Sequence, residues 1–240
     1  MPKGNISPGM VFERYEKKYR LTEEQYLRLR ERLDEYMQED KYGLSTVCSL
    51  YFDTEDWLLA GRSIQKPKYK EKLRLRSYGI PKDDTAVFLE LKKKLDGVTY
   101  KRRVSMTYAE AKRYINDGEP PDSQGQIFEE IDWFIKFYRP SPAILLFYNR
   151  IALYGIEDKD LRITFDSDIR FRTERLDFTQ GDDGTPIIEA GERIMEIKVA
   201  GAFPYWLSRM LSELKIYPAS FSKYGTAYRN LQKEEACIVR

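Results

Sequence analysis

Three basic side chains fall on alternate positions of the run Lys72-Leu73-Arg74-Leu75-Arg76. If that run is a strand, its period of two puts Leu73 and Leu75 on one face and all three cations on the other. Arginine forks bind phosphate oxygens bidentately and lysine ammoniums attract them as point charges, so a surface of both suits a polyanion. The same division recurs along the chain. In residues 86–94, Val87, Leu89 and Leu91 oppose Phe88, Glu90, Lys92 and Lys94; in 144–153, Leu145, Phe147 and Ile151 oppose Leu146, Tyr148 and Arg150. In 160–168, Leu161, Ile163 and Phe165 oppose Arg162, Thr164 and Asp166; in 193–199, Met195, Ile197 and Val199 oppose Ile194, Glu196 and Lys198. Any one of these is an ordinary strand with one wet face. Together the polar faces offer Arg14, Lys18, Lys72, Arg74, Arg76, Lys92, Lys94, Lys101, Arg103, Arg150, Arg162 and Lys198 against Glu16, Glu90, Asp166 and Glu196. Like charges opposed across a sheet are destabilising. If these faces share one surface, a linear phosphate chain is its natural occupant.

The chain holds no histidine, which removes imidazole zinc sites and histidine-based nucleophile or acid–base chemistry. Catalysis is left to carboxylates, lysine, arginine, tyrosine or a hard metal on oxygen. No G-x-x-x-x-G-K-[ST] segment is present, so phosphate binding by a P-loop is excluded. The 41 Lys and Arg against 39 Asp and Glu give a net charge of +2, too balanced for a simple nucleic-acid binder. Cys48 and Cys237 lie far apart and form no metal or redox motif, which fits a reducing, cytoplasmic setting. No apolar run approaches about 18 residues and no signal sequence opens the chain, so a soluble protein without a membrane span is expected.

The elements that would position these residues can be read from the pattern. Strand-like runs lie near 12–20, 45–53, 69–78, 86–94, 97–106, 144–153, 160–168, 169–173 and 193–199. Helices are predicted over 22–38, 108–116, 124–138 and 203–215, the first capped by Thr22 and the second by the Thr107–Glu110 capping box. Asp96-Gly97 signals a two-residue hairpin, and 177–191 reads as a loop. The whole chain, 1–240, reads as one α+β domain with polar tails at 1–11 and 232–240. Roughly eight antiparallel strands can close into a barrel wide enough for one ligand.

Several segments carry a resemblance. They are Arg14-Tyr15-Glu16-Lys17-Lys18-Tyr19, Tyr51-Phe52-Asp53-Thr54, Lys72-Leu73-Arg74-Leu75-Arg76, Glu90-Leu91-Lys92, Lys101-Arg102-Arg103, Tyr148-Asn149-Arg150, Arg162-Ile163-Thr164-Phe165-Asp166, Glu196-Ile197-Lys198 and Phe221-Ser222-Lys223-Tyr224. In order and spacing they resemble the VTC domain, the polyphosphate polymerase domain of the vacuolar transporter chaperone complex, within the CYTH-like triphosphate tunnel metalloenzymes. The resemblance implies an eight-stranded, closed antiparallel β-barrel with helices packed outside. It implies transfer of the γ-phosphate of a nucleoside triphosphate such as ATP to polyphosphate, assisted by Mn2+ or Mg2+. By the same resemblance Lys18, Arg74, Arg76, Lys92, Arg150, Arg162, Lys198 and Lys223 would hold phosphates, and Glu196 would bind the metal. Phosphoryl transfer needs positioning and charge stabilisation rather than covalent help, so the lack of histidine is no obstacle.

The charge pattern adds Lys72, Lys94, Lys101 and Arg103 as phosphate contacts, although Arg102 and Arg103 would exchange faces at a bulge. Tyr148 is either a hydrogen-bond donor to phosphate or a packed aromatic, and Glu16 either a second metal ligand or the group that orients Lys18. Glu90 and Asp166 read as counter-charges that position arginines, and Asp53 as a strand-end turn residue. Two departures from the family matter. Triphosphatases of the superfamily open with E-x-E-x-K, whereas Arg14 holds the first position here, which favours polymerase over hydrolase. The SPX domain and membrane spans of the eukaryotic proteins are missing, so a stand-alone, prokaryotic form is expected, with a membrane-protein partner left open. A metal-dependent triphosphatase or polyphosphatase and a non-catalytic polyphosphate-binding module are the alternatives; no nucleic-acid partner is expected.

Overall fold

The computed structural model describes residues 14–65, 67–96, 98–122 and 125–238. The chain begins with strand β1 (Arg14–Leu21), helix α1 (Glu23–Leu33), the short strand β2 (Met37–Glu39) and strand β3 (Ser45–Asp53). Helix α2 (Leu58–Gln65) leads into strands β4 (Tyr69–Tyr78), β5 (Ala86–Leu95) and β6 (Val98–Thr107). Helices α3 (Tyr108–Asp117) and α4 (Gln126–Tyr138) follow, then the long strands β7 (Ser141–Gly155) and β8 (Arg162–Arg172). The two-residue strand β9 (Thr185–Pro186), strand β10 (Arg193–Ala200), helix α5 (Tyr205–Glu213) and helix α6 (Lys223–Ile238) come last. Among the described residues no helix is long and apolar enough to cross a membrane.

Local chemistry accounts for much of this. Thr22 and Thr107 each accept from the backbone N–H three residues on, while Gln25 and Glu110 reach back, closing capping boxes at α1 and α3. Leu95 pairs with Val98 across the β5·β6 hairpin and Asp96 takes φ 45°, as a two-residue turn demands; Gly97 lies outside the described residues. The helix predicted over 22–38 stops at Leu33. Tyr36 stacks on Trp206 with ring centroids 4.2 Å apart, and its carbonyl accepts from Ile156 N–H at 2.9 Å, which commits the next residues to strand. The runs 160–168 and 169–173 form one strand, interrupted only by Asp168 at φ 50°.

Hydrogen-bonded neighbours follow the order β1-β10-β8-β7-β3-β4-β5-β6, with β2 pairing β7 and β9 pairing β8. The closed barrel expected from the sequence is therefore corrected to an open antiparallel sheet with helices. Closure needs first and last strands in a common ladder with matched stagger, and strand number alone does not provide that. The outer edge of β1 is covered by the chain itself: Tyr19 bridges to Pro218, and Ala219 N–H donates to Lys18 C=O at 2.7 Å. The outer edge of β6 carries Lys101, Arg102 and Arg103, and charged edges resist a further strand.

By compactness the chain divides into two units. The first comprises Met1–Gly43, Ile151–Phe165 and Arg193–Ser220; the second Leu44–Arg150, Asp166–Glu192 and Phe221–Arg240. The core of the first is built from Tyr19 and Leu21 of β1, Leu29 and Leu33 of α1, Met195, Ile197 and Val199 of β10, and Leu207 and Leu211 of α5. In the second, Leu73 and Leu75, Val87, Leu89 and Leu91, and Leu145 and Phe147 pack with Ala111 and Tyr114 of α3 and Phe128, Ile131 and Phe134 of α4. Each such fully buried side chain contributes about 1.5–3 kcal/mol. The alternation read from the sequence is thus resolved: the apolar set of these strands faces the core, and the charged set takes the other face.

Candidate functional site

In the second unit the ladder register lines up the charged residues in rows. Tyr51, Arg74, Glu90 and Arg103 face one another across β3, β4, β5 and β6. In the next row Lys72, Lys92 and Lys101 stand directly opposite one another. Three opposed ammoniums are a destabilising arrangement that a sheet serving only as scaffold would not require. A negative charge beside this row is Glu90, which is 1% exposed. Its carboxylate accepts from Arg74 Nε at 2.8 Å and from Arg103 Nε at 2.6 Å, and lies 2.7 Å from Lys101 Nζ. Burial acts to raise the Glu90 pKa, but Arg74, Arg76 and Lys101 outweigh it and hold the carboxyl well below its ordinary range. One ionised carboxylate thus orders Arg74, Arg103 and Lys101 together.

Tyr148 links this cluster to a second one. Its hydroxyl accepts from Arg76 Nη2 at 3.2 Å, and its ring lies beneath Arg150 at 5.2 Å and Lys223 at 4.5 Å. Both of those cations converge on Asp166, which is fully buried: Arg150 binds it bidentately at 2.6 and 2.8 Å, and Lys223 donates to Oδ2. Burial opposes its ionisation, yet Lys223 and Arg150 keep the Asp166 pKa below its ordinary value. Lys223 is the first residue of α6, and the same turn is fixed twice more. Ser222 accepts from Lys72 Nζ at 3.0 Å, and Tyr224 stacks on Tyr51 at 4.5 Å while donating its hydroxyl to Asp53. Asp53 also accepts from the backbone N–H groups of Leu59 and Ala60, both at 2.8 Å, so it anchors α2 and α6 to the end of β3. Of the other residues anticipated on this face, Lys92 is half-buried and Lys94 exposed.

The first unit holds a different arrangement. In the β1·β10 ladder Lys18 opposes Glu196 and Glu16 opposes Lys198, which gives a square of alternating charge. Lys198 Nζ lies 2.8 Å from Glu196 and 3.9 Å from Glu16, and Lys18 Nζ lies 3.6 Å from each carboxylate. Among the described residues no three carboxylate, cysteine or histidine side chains are gathered as a metal set. Arg162 is exposed, with Asp40 at 3.9 Å. The side chain of Arg14 lies outside the described residues.

Two hydroxyl-bearing residues escaped the reading of the sequence because they carry no charge. Tyr51, on the polar face of β3, accepts from Arg74 Nη1 at 2.9 Å. Burial resists ionisation of its phenol, yet Arg74, Lys72 and Arg76 lower its pKa to about 7. Ser222, between Lys72 and the first turn of α6, is the other. The signal for both lies in the segments Tyr51-Phe52-Asp53-Thr54 and Phe221-Ser222-Lys223-Tyr224, where charged neighbours dominate the pattern.

Among solved structures, a candidate adenylate cyclase from Bacillus halodurans has a TM-score of 0.55 to this chain at 16% identity, covering 86% of this chain and 92% of that one. A Hippeastrum protein, a candidate adenylyl cyclase with a dominant triphosphatase activity, has a TM-score of 0.51 at 14% identity, covering 91% and 96%. At such identities the likeness shows the fold alone. The family model described as the VTC domain matches residues 13–232, a span that contains every cation and carboxylate of the clusters described above. The chain belongs to the VTC domain family.

Proposed function

We propose that this protein is a polyphosphate polymerase, transferring the γ-phosphoryl group of a nucleoside triphosphate, with ATP as the first donor to test, onto the end of a polyphosphate chain. In that reaction a terminal phosphate oxygen of the chain attacks the γ-phosphorus, the bond to the β,γ-bridging oxygen breaks, and the nucleoside diphosphate leaves. The observation that carries the proposal is the Lys72–Lys92–Lys101 row beside the Arg74–Glu90–Arg103 row. Cations gathered on one face, with Arg74, Arg103 and Lys101 held by a buried carboxylate, form a preorganised anion surface, which is what phosphoryl transfer asks of a protein. Arg74, Arg76, Lys92, Lys101, Arg103, Arg150 and Lys223 of the second unit would bind phosphate oxygens, as would Lys18, Arg162 and Lys198 of the first. Tyr148 would position Arg76, Arg150 and Lys223.

Glu196, with Glu16, would hold a divalent metal. Two carboxylates without a third fit Mg2+ or Mn2+, which are commonly bound by one or two carboxylates plus substrate phosphates. They do not fit an ion caged by protein alone. When bound, such an ion would neutralise charge on the transferring phosphoryl group. Lys18 and Lys198, which balance the same carboxylates, would then turn to phosphate oxygens. A cytoplasmic setting, with ATP at hand and Cys48 and Cys237 as free thiols, suits the reaction.

A second reading, hydrolysis of triphosphate, is favoured by the activity named for the Hippeastrum protein. The residue pattern leans the other way, because Arg14 stands where a triphosphatase of this superfamily carries the first carboxylate of E-x-E-x-K. Product analysis decides between them. Purified protein incubated with ATP and Mn2+, with tripolyphosphate in parallel, should give a ladder of phosphate chains on a polyacrylamide gel, lost in Glu196→Gln. Orthophosphate without chain growth would make it a triphosphatase. Tight binding without turnover would make it a polyphosphate-binding module.

A further inference from the structure

Strand β3 carries no cation, so the basic pattern of the chain gives no reason to include it in a phosphate site. Its Ser49 is nevertheless 1% exposed, and the Ser49 hydroxyl has no hydrogen-bond partner among the described residues. In the β3·β4 ladder Ser49 stands directly opposite Arg76, which is 7% exposed. Arg76 donates to Tyr148 through Nη2 at 3.2 Å. Its Nε is also without a hydrogen-bond partner among the described residues, with the Glu90 carboxylate 3.9 Å away and out of bonding reach. A single ladder pair thus holds two buried donors that are unsatisfied among the described residues. Buried polar groups are almost always bonded, and each exception asks for an explanation. Ser49 is flanked by Leu146 on β7 and by Arg76 on β4, with Arg74 opposite Tyr51 on the same face. Glu90 engages Arg74 directly but reaches Arg76 only at 3.9 Å, so an anionic acceptor is favoured beside Arg76 Nε.

We propose that Ser49 Oγ and Arg76 Nε together hold one non-bridging oxygen of a phosphoryl group, which makes Ser49 a binding residue for phosphate chains. The inference rests on the reading of this protein as one that binds such chains, and it adds a neutral donor to a site otherwise described by its charges. A hydroxyl at this point can donate to the oxygen without adding to the repulsion among Arg74, Arg76 and Lys72. Keeping that donor unsatisfied in the ligand-free fold is a cost that function, rather than packing, explains.

Alanine at position 49 gives the role a distinctive sign. It removes the unsatisfied hydroxyl and leaves a methyl group of similar bulk. A hydroxyl that serves the fold would make this change destabilising; one that serves a ligand would leave the empty protein at least as stable while weakening binding. The test is calorimetric titration of inorganic tripolyphosphate into wild type and Ser49→Ala, with thermal unfolding of both in the absence of ligand. The expected result is binding weakened by about tenfold or more, the loss of one hydrogen bond to a charged acceptor, with an unfolding midpoint equal to or above that of wild type. Equal affinity in the two proteins would overturn the inference and leave the phosphate-chain reading standing, as would a lowered midpoint in Ser49→Ala. Failure of the wild type to bind tripolyphosphate would overturn both.

Discussion

Glu90 and Tyr51 show how two single residues set the charge state of a whole face. Glu90 is an almost fully buried carboxylate whose ionised form is favoured by the cations on either side of it. It makes a crowded set of guanidinium and ammonium groups tolerable. Tyr51 is the second counter-charge, and a titratable one. Its pKa in the fold is about 7 against an ordinary value of 10.0. The folded state therefore releases its proton first. The stability contributed by the phenolate is fully present above pH 10, declines as pH falls from about 10 towards 7, and is absent below about 7. The predicted outcome is that ligand-free wild type gains stability between about pH 7 and pH 9 relative to Tyr51→Phe, with a larger rise of tyrosinate absorbance in the near-ultraviolet over the same range in wild type. Coincident stability profiles for the two proteins would remove Tyr51 as a counter-charge. Saturation with tripolyphosphate should move the tyrosinate transition to higher pH, because phosphate oxygens would neutralise the cations that hold the phenol ionised.

At the scale of elements, helix α6 is what brings Lys223 to Asp166. Its first turn is secured by the Lys223–Asp166 ion pair, the Tyr224 hydroxyl on Asp53 and the Tyr224–Tyr51 stack. Burial and the neighbouring Asp53 raise the Tyr224 pKa, so its phenol stays protonated and remains a donor. Tyr224→Leu should cost about 2–4 kcal/mol in urea unfolding, from the lost ring and the lost hydrogen bond, and should weaken tripolyphosphate binding by loosening Lys223. A stability loss with unchanged binding would separate α6 from the anion face. This helix was not legible in the sequence. The stretch Lys223-Tyr224-Gly225-Thr226-Ala227-Tyr228 begins with a glycine in its first turn and buries little beyond Tyr224 and Ala227, so it lacks an apolar stripe. Helix α2 was hidden likewise, being short and holding Gly61, and its start depends on Asp53, which the sequence presents as a turn residue. The strands were legible because alternation such as Leu73 and Leu75 against Lys72, Arg74 and Arg76 is a local signal.

For the molecule as a whole, the net charge of +2 conceals its organisation. Acidic residues elsewhere balance the total, while the cations that matter are collected on strand faces by a register that composition does not report. Which strands are neighbours and where the sheet stops were also beyond the sequence. The edge of β1 is closed by Pro218 and Ala219, nearly 200 residues away along the chain. A count of strands therefore suggested a barrel where the chain covers its own edge. The site was legible in its charged members and illegible in Ser49 and Tyr51, whose roles come from being opposite Arg76 and Arg74 in the ladder. Whether the γ-phosphoryl group goes to a phosphate chain, as proposed, or to water is decided by phosphorus NMR of ATP turnover with Mg2+ and a short polyphosphate primer. For a polymerase the γ-phosphate signal of ATP is expected to be replaced by internal polyphosphate signal, with little orthophosphate and no conversion once the metal is chelated. Orthophosphate rising in step with ATP loss, with no gain in internal phosphate, would contradict it.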